Sequence, residues 1–292
     1  MTEEAISRAN GLIFSRLALF LNEQPDFINE EMIGELTSKF GLEVKEAFSL
    51  LLQAALGFDD DYPPDRELWA NYSPFMINHL DENVFLNDEY YRAIKVDEPE
   101  TLNEWELKSF YIAPFTAFVC GDPVTFPDGR IIPRIGFFDC GYRYPGITQN
   151  GREWMTLLPN ESVTQRIPVQ KARGKVLTYG LGLGYFAFMA SLKPEVKSIT
   201  VVERDENVIK LFETILLPKF PHREKINIVC ADAFDYAANV APNGSYDYVF
   251  ADIWHDPTDG VEAYKRFKTL ETDKRAQYDY WIEDTLKLYM ED

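Results

Sequence analysis

Apolar positions recur with helical spacing along the first eighty residues and cluster like strands further on. In Glu4–Leu21, the residues Ile6, Ala9, Ile13, Leu17 and Phe20 fall near a 3.6-residue period, which predicts an amphipathic helix that Pro25 ends. Asn29 is placed to cap a second helix, which starts at Glu30–Glu31 and runs through Met32, Ile33 and Leu36 to Phe40, with Gly41 as its C-terminal cap. Val44–Leu56 predicts a third, very apolar helix. Asp59–Pro64 reads as a loop, and Arg66–Leu80 as a further helix broken near Pro74. From about residue 110 the pattern becomes extended, with strand candidates at Phe115–Val119, Ile131–Gly136 and Trp154–Leu158. Pro127–Asp128–Gly129 signals a turn and Gln149–Asn150–Gly151 a hairpin.

Four compact apolar runs follow, at Lys175–Tyr179, Ser198–Val202, Ile226–Cys230 and Tyr246–Ala251. Helical stretches separate them, which predicts a parallel sheet of α/β type. Beyond it, Gly260–Leu270 and Tyr278–Tyr289 read as helices with no further strand. The sheet is therefore either truncated after strand four or completed from the N-terminal part. A truncated sheet needs something to cover its edge. The expected organisation is a helical cap or dimerisation region over 1–105, a small β-rich segment over 106–168, and a Rossmann-like domain over 169–292.

The ends of these strands carry the chemistry. Strand one runs into Gly180, Gly182 and Gly184 and then a helix. Alternating glycines let a backbone turn sharply and approach a ligand closely. Nineteen residues after Gly184, strand two ends in Glu203. An acid at that distance is placed to accept hydrogen bonds from ribose hydroxyls. Strand three ends in Ala231–Asp232–Ala233–Phe234, and strand four in Asp252–Ile253–Trp254–His255. Ligands of open parallel sheets sit beyond the carboxyl ends of the strands, so three acids converge on one edge and the pattern predicts a nucleoside cofactor. Gly182–Leu183–Gly184–Tyr185–Phe186–Ala187 also satisfies the dinucleotide fingerprint, but that reading gives Asp232 and Asp252 no task. If the glycines served only close packing of helix on strand, one would suffice.

This arrangement resembles class I S-adenosylmethionine-dependent methyltransferases, and within them the spermidine-synthase-like branch, over about residues 147–270. The resemblance rests on the Gly180/Gly182/Gly184 loop, Val202–Glu203–Arg204–Asp205, Ala231–Asp232–Ala233–Phe234 and Asp252. It implies S-adenosyl-L-methionine as cofactor, with the glycine loop under the methionine portion and Glu203 on the ribose. It also implies Asp232 and Ala233 beside the adenine, and Asp252 facing the transfer site. Pro159–Asn160–Glu161 corresponds loosely to the Asp-Glu pair of spermidine synthases. Their following Tyr-His-Glu run is replaced by Val163–Thr164–Gln165, Trp154 falls near the place of their hairpin glutamine, and the loop from Asp252 to Pro257 is one residue longer. The cofactor half is kept and the polyamine half is not, which argues against aminopropyl transfer.

Asp252 is the candidate base or orienting carboxylate, and a neighbouring sulfonium would keep its pKa low. Trp254 is a candidate wall for a cationic or aromatic group, and His255 a candidate proton shuttle. Asp205 reads either as part of the ribose site or as a helix-terminal acid. Two classes of function are consistent with this: a transferase acting on a small molecule or a protein side chain, and a non-catalytic nucleoside sensor or scaffold.

Composition narrows the partners. The chain has 292 residues and a net charge of −19 from 29 basic and 48 acidic side chains. That balance disfavours phosphate backbones as partners. Glu43 and Glu46 also stand where a helix-turn-helix would want basic residues, so the N-terminal helices read as a cap or a homodimer contact. Cys120, Cys140 and Cys230 and the three histidines lack metal-ligand spacing, and no metal is expected. Cys230 reads as a small buried hydrophobe. Met1–Thr2–Glu3–Glu4 has no basic n-region and no apolar run is long enough for a span, so the expected location is cytoplasmic and away from membranes.

Overall fold

The helical spacing at the N-terminus is realised as Glu3–Glu23, Glu30–Phe40, Val44–Ala55 and Pro63–Met76 in the computed structural model, which describes residues 2–290. Ile6, Ala9, Ile13, Leu17 and Phe20 are all buried, as the period requires. Asn29 caps the second helix through Met32 N at 3.1 Å, and Gly41 closes it in the left-handed conformation. Glu43 and Glu46 form a reciprocal capping box at the start of the third helix, which accounts for acids at those positions. The fourth helix stops at Met76, short of the expected Leu80. Ile77–His79 instead forms a strand parallel to Ile135–Phe137, because sheet pairing outweighs local helical preference there. Phe118–Val119 completes this small sheet in antiparallel sense.

These elements belong to the first of two compact units, Met1–Phe85 with Tyr111–Arg143; the second is Leu86–Phe110 with Tyr144–Asp292. The core of the first unit is helix against sheet, with Phe48 stacked on Phe137 at 3.9 Å and Ile13, Leu52, Tyr72 and Met76 fully buried around them.

The second unit is built on five strands: β1 (Gly174–Tyr179), β2 (Val196–Glu203), β3 (Ile226–Cys230), β4 (Tyr248–Ala251) and β5 (Gln277–Tyr280). They lie in the order β3-β2-β1-β4-β5 and are all parallel. This is the doubly wound, Rossmann-like order, with its switch point between β1 and β4. Val176–Tyr179 are all buried, as expected of a central parallel strand covered on both faces.

The sheet is not truncated after strand four. Its fifth strand comes from the C-terminal stretch that the pattern assigns to a helix, and only Glu283–Met290 is helical there. Gln277–Tyr278–Asp279–Tyr280 carries no aliphatic residue, so no apolar run announces it. Pairing with β4 makes it a strand, and its polar groups are answered locally: Tyr248 OH donates to Asp279 at 2.7 Å and Lys171 to the same carboxylate at 2.9 Å.

The helices α1 (Pro159–Lys171), α2 (Tyr185–Ser191), α3 (Glu206–Leu211), α4 (Ala233–Asn239), α5 (Pro257–Thr269) and α6 (Glu283–Met290) complete this part. The stretch read as β-rich therefore ends before Pro159. Two prolines and a weak apolar period hide α1, but Pro159 sits in its first turn, where no amide is needed. The predicted hairpin is present: Tyr142–Gln149 pairs with Arg152–Thr156, and Asn150 (φ 51°) and Gly151 (φ 76°) make the turn. Cys230 is exposed rather than buried, because β3 is an edge strand. Among the described residues no helix is long and apolar enough to cross a membrane.

Candidate functional site

The glycine loop is held in a shape that side chains would resist. Gly180, Gly182 and Gly184 have φ of 94°, 51° and 75°, in the left-handed region that disfavours residues with a Cβ. At Gly180 an added Cβ would stand 1.9 Å from the carbonyl oxygen of Asp252, so glycine is what lets the ends of β1 and β4 converge. At Gly184 it would stand 2.4 Å from the ring of Phe212. At Gly182 it would meet only the flexible end of Met155, from the hairpin, at 2.7 Å. The loop is anchored from outside by Tyr90, whose buried hydroxyl donates to Leu183 O at 2.6 Å. Burial drives that phenol far above its ordinary pKa, so it remains a donor.

Glu203 ends β2 beside this loop. Its carboxylate accepts from Leu181 N at 3.3 Å, Arg204 N at 2.7 Å and Asp205 N at 3.0 Å. Asp205 caps α3 through Asn207 N at 2.8 Å. Asp232 caps α4, accepting from Phe234 N at 2.9 Å and Asp235 N at 3.0 Å, and Ala233 is buried just behind it. These acids thus shape the strand-end turns while lining the same cavity.

Asp252 is in a different situation. It follows β4, and its side chain accepts a hydrogen bond from Gln165 Nε2 at 3.2 Å. Burial pushes its carboxyl up to about 7. The low pKa expected beside a sulfonium is thus not what the protein groups alone impose. Glu161 lies one helical turn before Gln165 on α1, and burial together with the charge of Asp252 pushes it up to about 8. The side-chain oxygen of Gln165 is buried without a hydrogen-bond partner among the described residues, as is Trp254 Nε1. Trp281, directly after β5, ties this corner together: its amide donates to Ala251 O at 3.0 Å and its indole to Thr164 Oγ1 at 2.8 Å. Ile282 follows it with φ 48°, a strained position for a β-branched residue.

Trp254 is buried and packs against Gly260 of α5. His255 is exposed, and both its backbone amide and Nδ1 meet Asp259, at 3.1 and 3.2 Å. All the sequence-predicted residues, Gly180, Gly182, Gly184, Glu203, Asp232, Ala233, Asp252, Trp254 and His255, line one cavity of about 470 Å³ at the switch point of the sheet. Glu161, Gln165 and Trp281 line it too and are not among the sequence candidates. The i, i+4 spacing of Glu161 and Gln165 was the available signal, usable only once α1 is known to be a helix.

Elsewhere, in the first unit, the ligand atoms of Glu82, Asp139 and Cys140 lie within 4.8 Å of one another. Their separation in sequence gave no sign of that grouping.

No protein-family model matches the chain, and no curated protein sequence does either. Among solved structures, spermidine synthase from Thermotoga maritima is similar over 58% of this chain and 52% of its own, at 16% identity and a TM-score of 0.33. A spermidine synthase in complex with the transition-state analogue AdoDATO is similar over 56% of this chain and 48% of its own, at 18% identity and a TM-score of 0.32. An O-methyltransferase structure from Klebsiella pneumoniae, titled putative, covers 36% of this chain and 47% of its own at 11% identity, with a TM-score of 0.29. The chain spans about half the length of these structures, and likenesses at these scores carry no argument by themselves.

Proposed function

We propose that the chain binds S-adenosyl-L-methionine and is a methyltransferase acting on a small molecule or a protein side chain. The observation that carries this reading is the cradle at the switch point, where three positive-φ glycines lie beside a strand-end glutamate. The residues present fit such a cofactor. A Cβ at Gly182 would enter the cavity wall at Met155, and two buried polar atoms, Gln165 Oε1 and Trp254 Nε1, await partners on that wall. A volume of about 470 Å³ suits a small-molecule site.

In this reading Glu203 holds the ribose hydroxyls, the Asp232–Ala233 turn lies along the adenine, and the loop through Gly182 supports the methionine portion. When bound, the cofactor supplies an electrophilic methyl group on a sulfonium. The chain's own task is to hold the acceptor near it, to keep water out and to receive a proton. Positioning alone is worth up to roughly 7–11 kcal/mol in well-oriented reactions. A carboxyl raised to about 7 is well matched to taking a proton near neutral pH, and Asp252 has that property.

Calorimetric titration with S-adenosyl-L-methionine, its demethylated product and NAD tests this. Binding of the first two is expected. Tighter binding of NAD than of any sulfonium nucleoside would overturn it.

A further inference from the structure

The corner of the cavity opposite Glu203 contains two carboxyls and almost nothing to neutralise them. Among the described residues no hydrogen-bond donor reaches the carboxyl of Glu161, and Asp252 has the amide of Gln165. The other ionisable side chains lining the cavity are Glu153 on the hairpin, Tyr185 on α2, Glu203 at the end of β2, Arg204 and Asp205 past it, Asp232 past β3 and His255 past β4. Arg204 is the only lysine or arginine among them, and it and His255 are exposed. His255 is engaged with Asp259. Two half-buried like charges without a counter-ion repel, which favours a proton on one of the pair.

We propose that Glu161 is a second acid–base group of this site, forming with Asp252 a carboxyl pair that holds one proton between them at neutral pH, with Gln165 as the residue that orients it. Three geometric facts support the assignment. Glu161 and Gln165 are one turn apart on α1, so both reach the same side. Gln165 donates to Asp252, while its buried side-chain oxygen accepts from no donor among the described residues, a gap that a protonated carboxyl would fill. The bond from Trp281 to Thr164 and the bond from its amide to Ala251 fix α1 against the end of β4, so the spacing of the pair is built in. The upward displacement of both carboxyls agrees with this arrangement. Such a pair gives the site one charged oxygen to receive a proton and one neutral hydroxyl to donate a hydrogen bond. The acceptor it fits is an O–H or N–H nucleophile that sheds one proton as it reacts.

The inference rests on the proposed function only for what the pair serves; the pair itself is testable alone. Full-length protein with ¹³C-labelled glutamate and aspartate carboxyls is titrated from pH 4 to 10. Two carboxyls are expected to change charge in separate steps above pH 6. Glu161→Gln should remove one step and lower the other by about one pH unit, a tenfold change in proton affinity, because the like charge is gone. Gln165→Met, which keeps the volume and removes the donor, should raise the Asp252 step. Wild-type carboxyls that all titrate below pH 5 would overturn the proposal without any variant. So would a folded Glu161→Gln protein in which the Asp252 step has not moved. If the two-step titration is present and S-adenosyl-L-methionine gives no binding heat, the cofactor reading falls and the carboxyl pair stands.

Discussion

Glu203 and Asp252 flank β1 on opposite sides and are both strand-end acids, yet they sit in opposite electrostatic settings. Three backbone amides converge on Glu203 and fix its carboxylate oxygens in place. Asp252 has one side-chain amide, and burial pushes it toward neutrality, while its charge pushes Glu161 the same way. The amides around Glu203 come from the turns next to it, which makes that half of the cavity a property of local backbone. The half around Asp252 is assembled by α1, 87 residues away in sequence at Gln165, and depends on tertiary packing. In the proposed function the first side recognises the cofactor through fixed hydrogen bonds and the second receives a proton.

The sharpest way to break this contrast is at Asp252. If it receives the acceptor's proton, Asp252→Asn should lower methyl transfer by roughly 10²–10⁴ and leave S-adenosyl-L-methionine affinity nearly unchanged. Steady-state kinetics alongside calorimetry checks this. Equal losses in both would make Asp252 a cofactor ligand like Glu203. Next in size is the joint between the two halves. Gly180→Ala places a methyl against the Asp252 carbonyl at a positive φ, and about 3 kcal/mol or more of stability should be lost in urea unfolding. Stability close to wild type would mean that the loop remodels and that the glycine is not required by packing.

On the recognition side, Glu203→Ala should weaken S-adenosyl-L-methionine binding by about 1.5–3 kcal/mol, the usual worth of a charged hydrogen-bond partner. Unchanged affinity in the folded variant would remove Glu203 from the site. The last test reads stability against pH, as a slope rather than a single loss. Glu161 and Asp252 have folded-state values of about 8 and about 7, above the ordinary 4.5 and 3.8, so the fold retains protons that the unfolded chain releases. The slope is therefore negative: stability falls as pH rises from about 4 to about 8, by at most about 1.4 kcal/mol per pH unit for each retained proton. Denaturant midpoints measured across that window should show the decline in the wild type and a shallower one in Glu161→Gln. A rise in stability over the same range, common to both proteins, would contradict the assignment.

What was legible in the sequence follows the same division. The first four strands, the Asn150–Gly151 hairpin, the Asn29 and Gly41 caps and the Gly180–Gly184 loop are dictated by near neighbours, and each was readable. β5 was not, because a Gln-Tyr-Asp-Tyr segment becomes a strand only beside β4. The helix α1 was hidden by Pro159 and Pro168, and with it the role of Glu161 and Gln165. Cys230 was misread for a related reason: an apolar run announces a strand but not whether it lies at the edge of its sheet. The half of the cavity around the glycine loop and Glu203 was thus visible from the strand ends, while the half around Asp252 required α1 and β5 as well.

The second unit is interrupted in the chain: Leu86–Phe110 belongs to it, but Tyr111–Arg143 does not. A ribosome makes the chain from its N-terminus, so every residue of the first unit exists by position 143, when the second has only its opening fragment. That fragment carries Tyr90, Tyr91 and Trp105, all buried in the finished protein. The acceptor of Tyr90, Leu183 O, lies 93 residues further on, and Lys219, the ion-pair partner of Glu100, lies 119 further on. A nascent chain stalled before Leu183 therefore leaves Tyr90 without the acceptor and the covering rings that it has in the finished protein, an apolar surface open to chaperones.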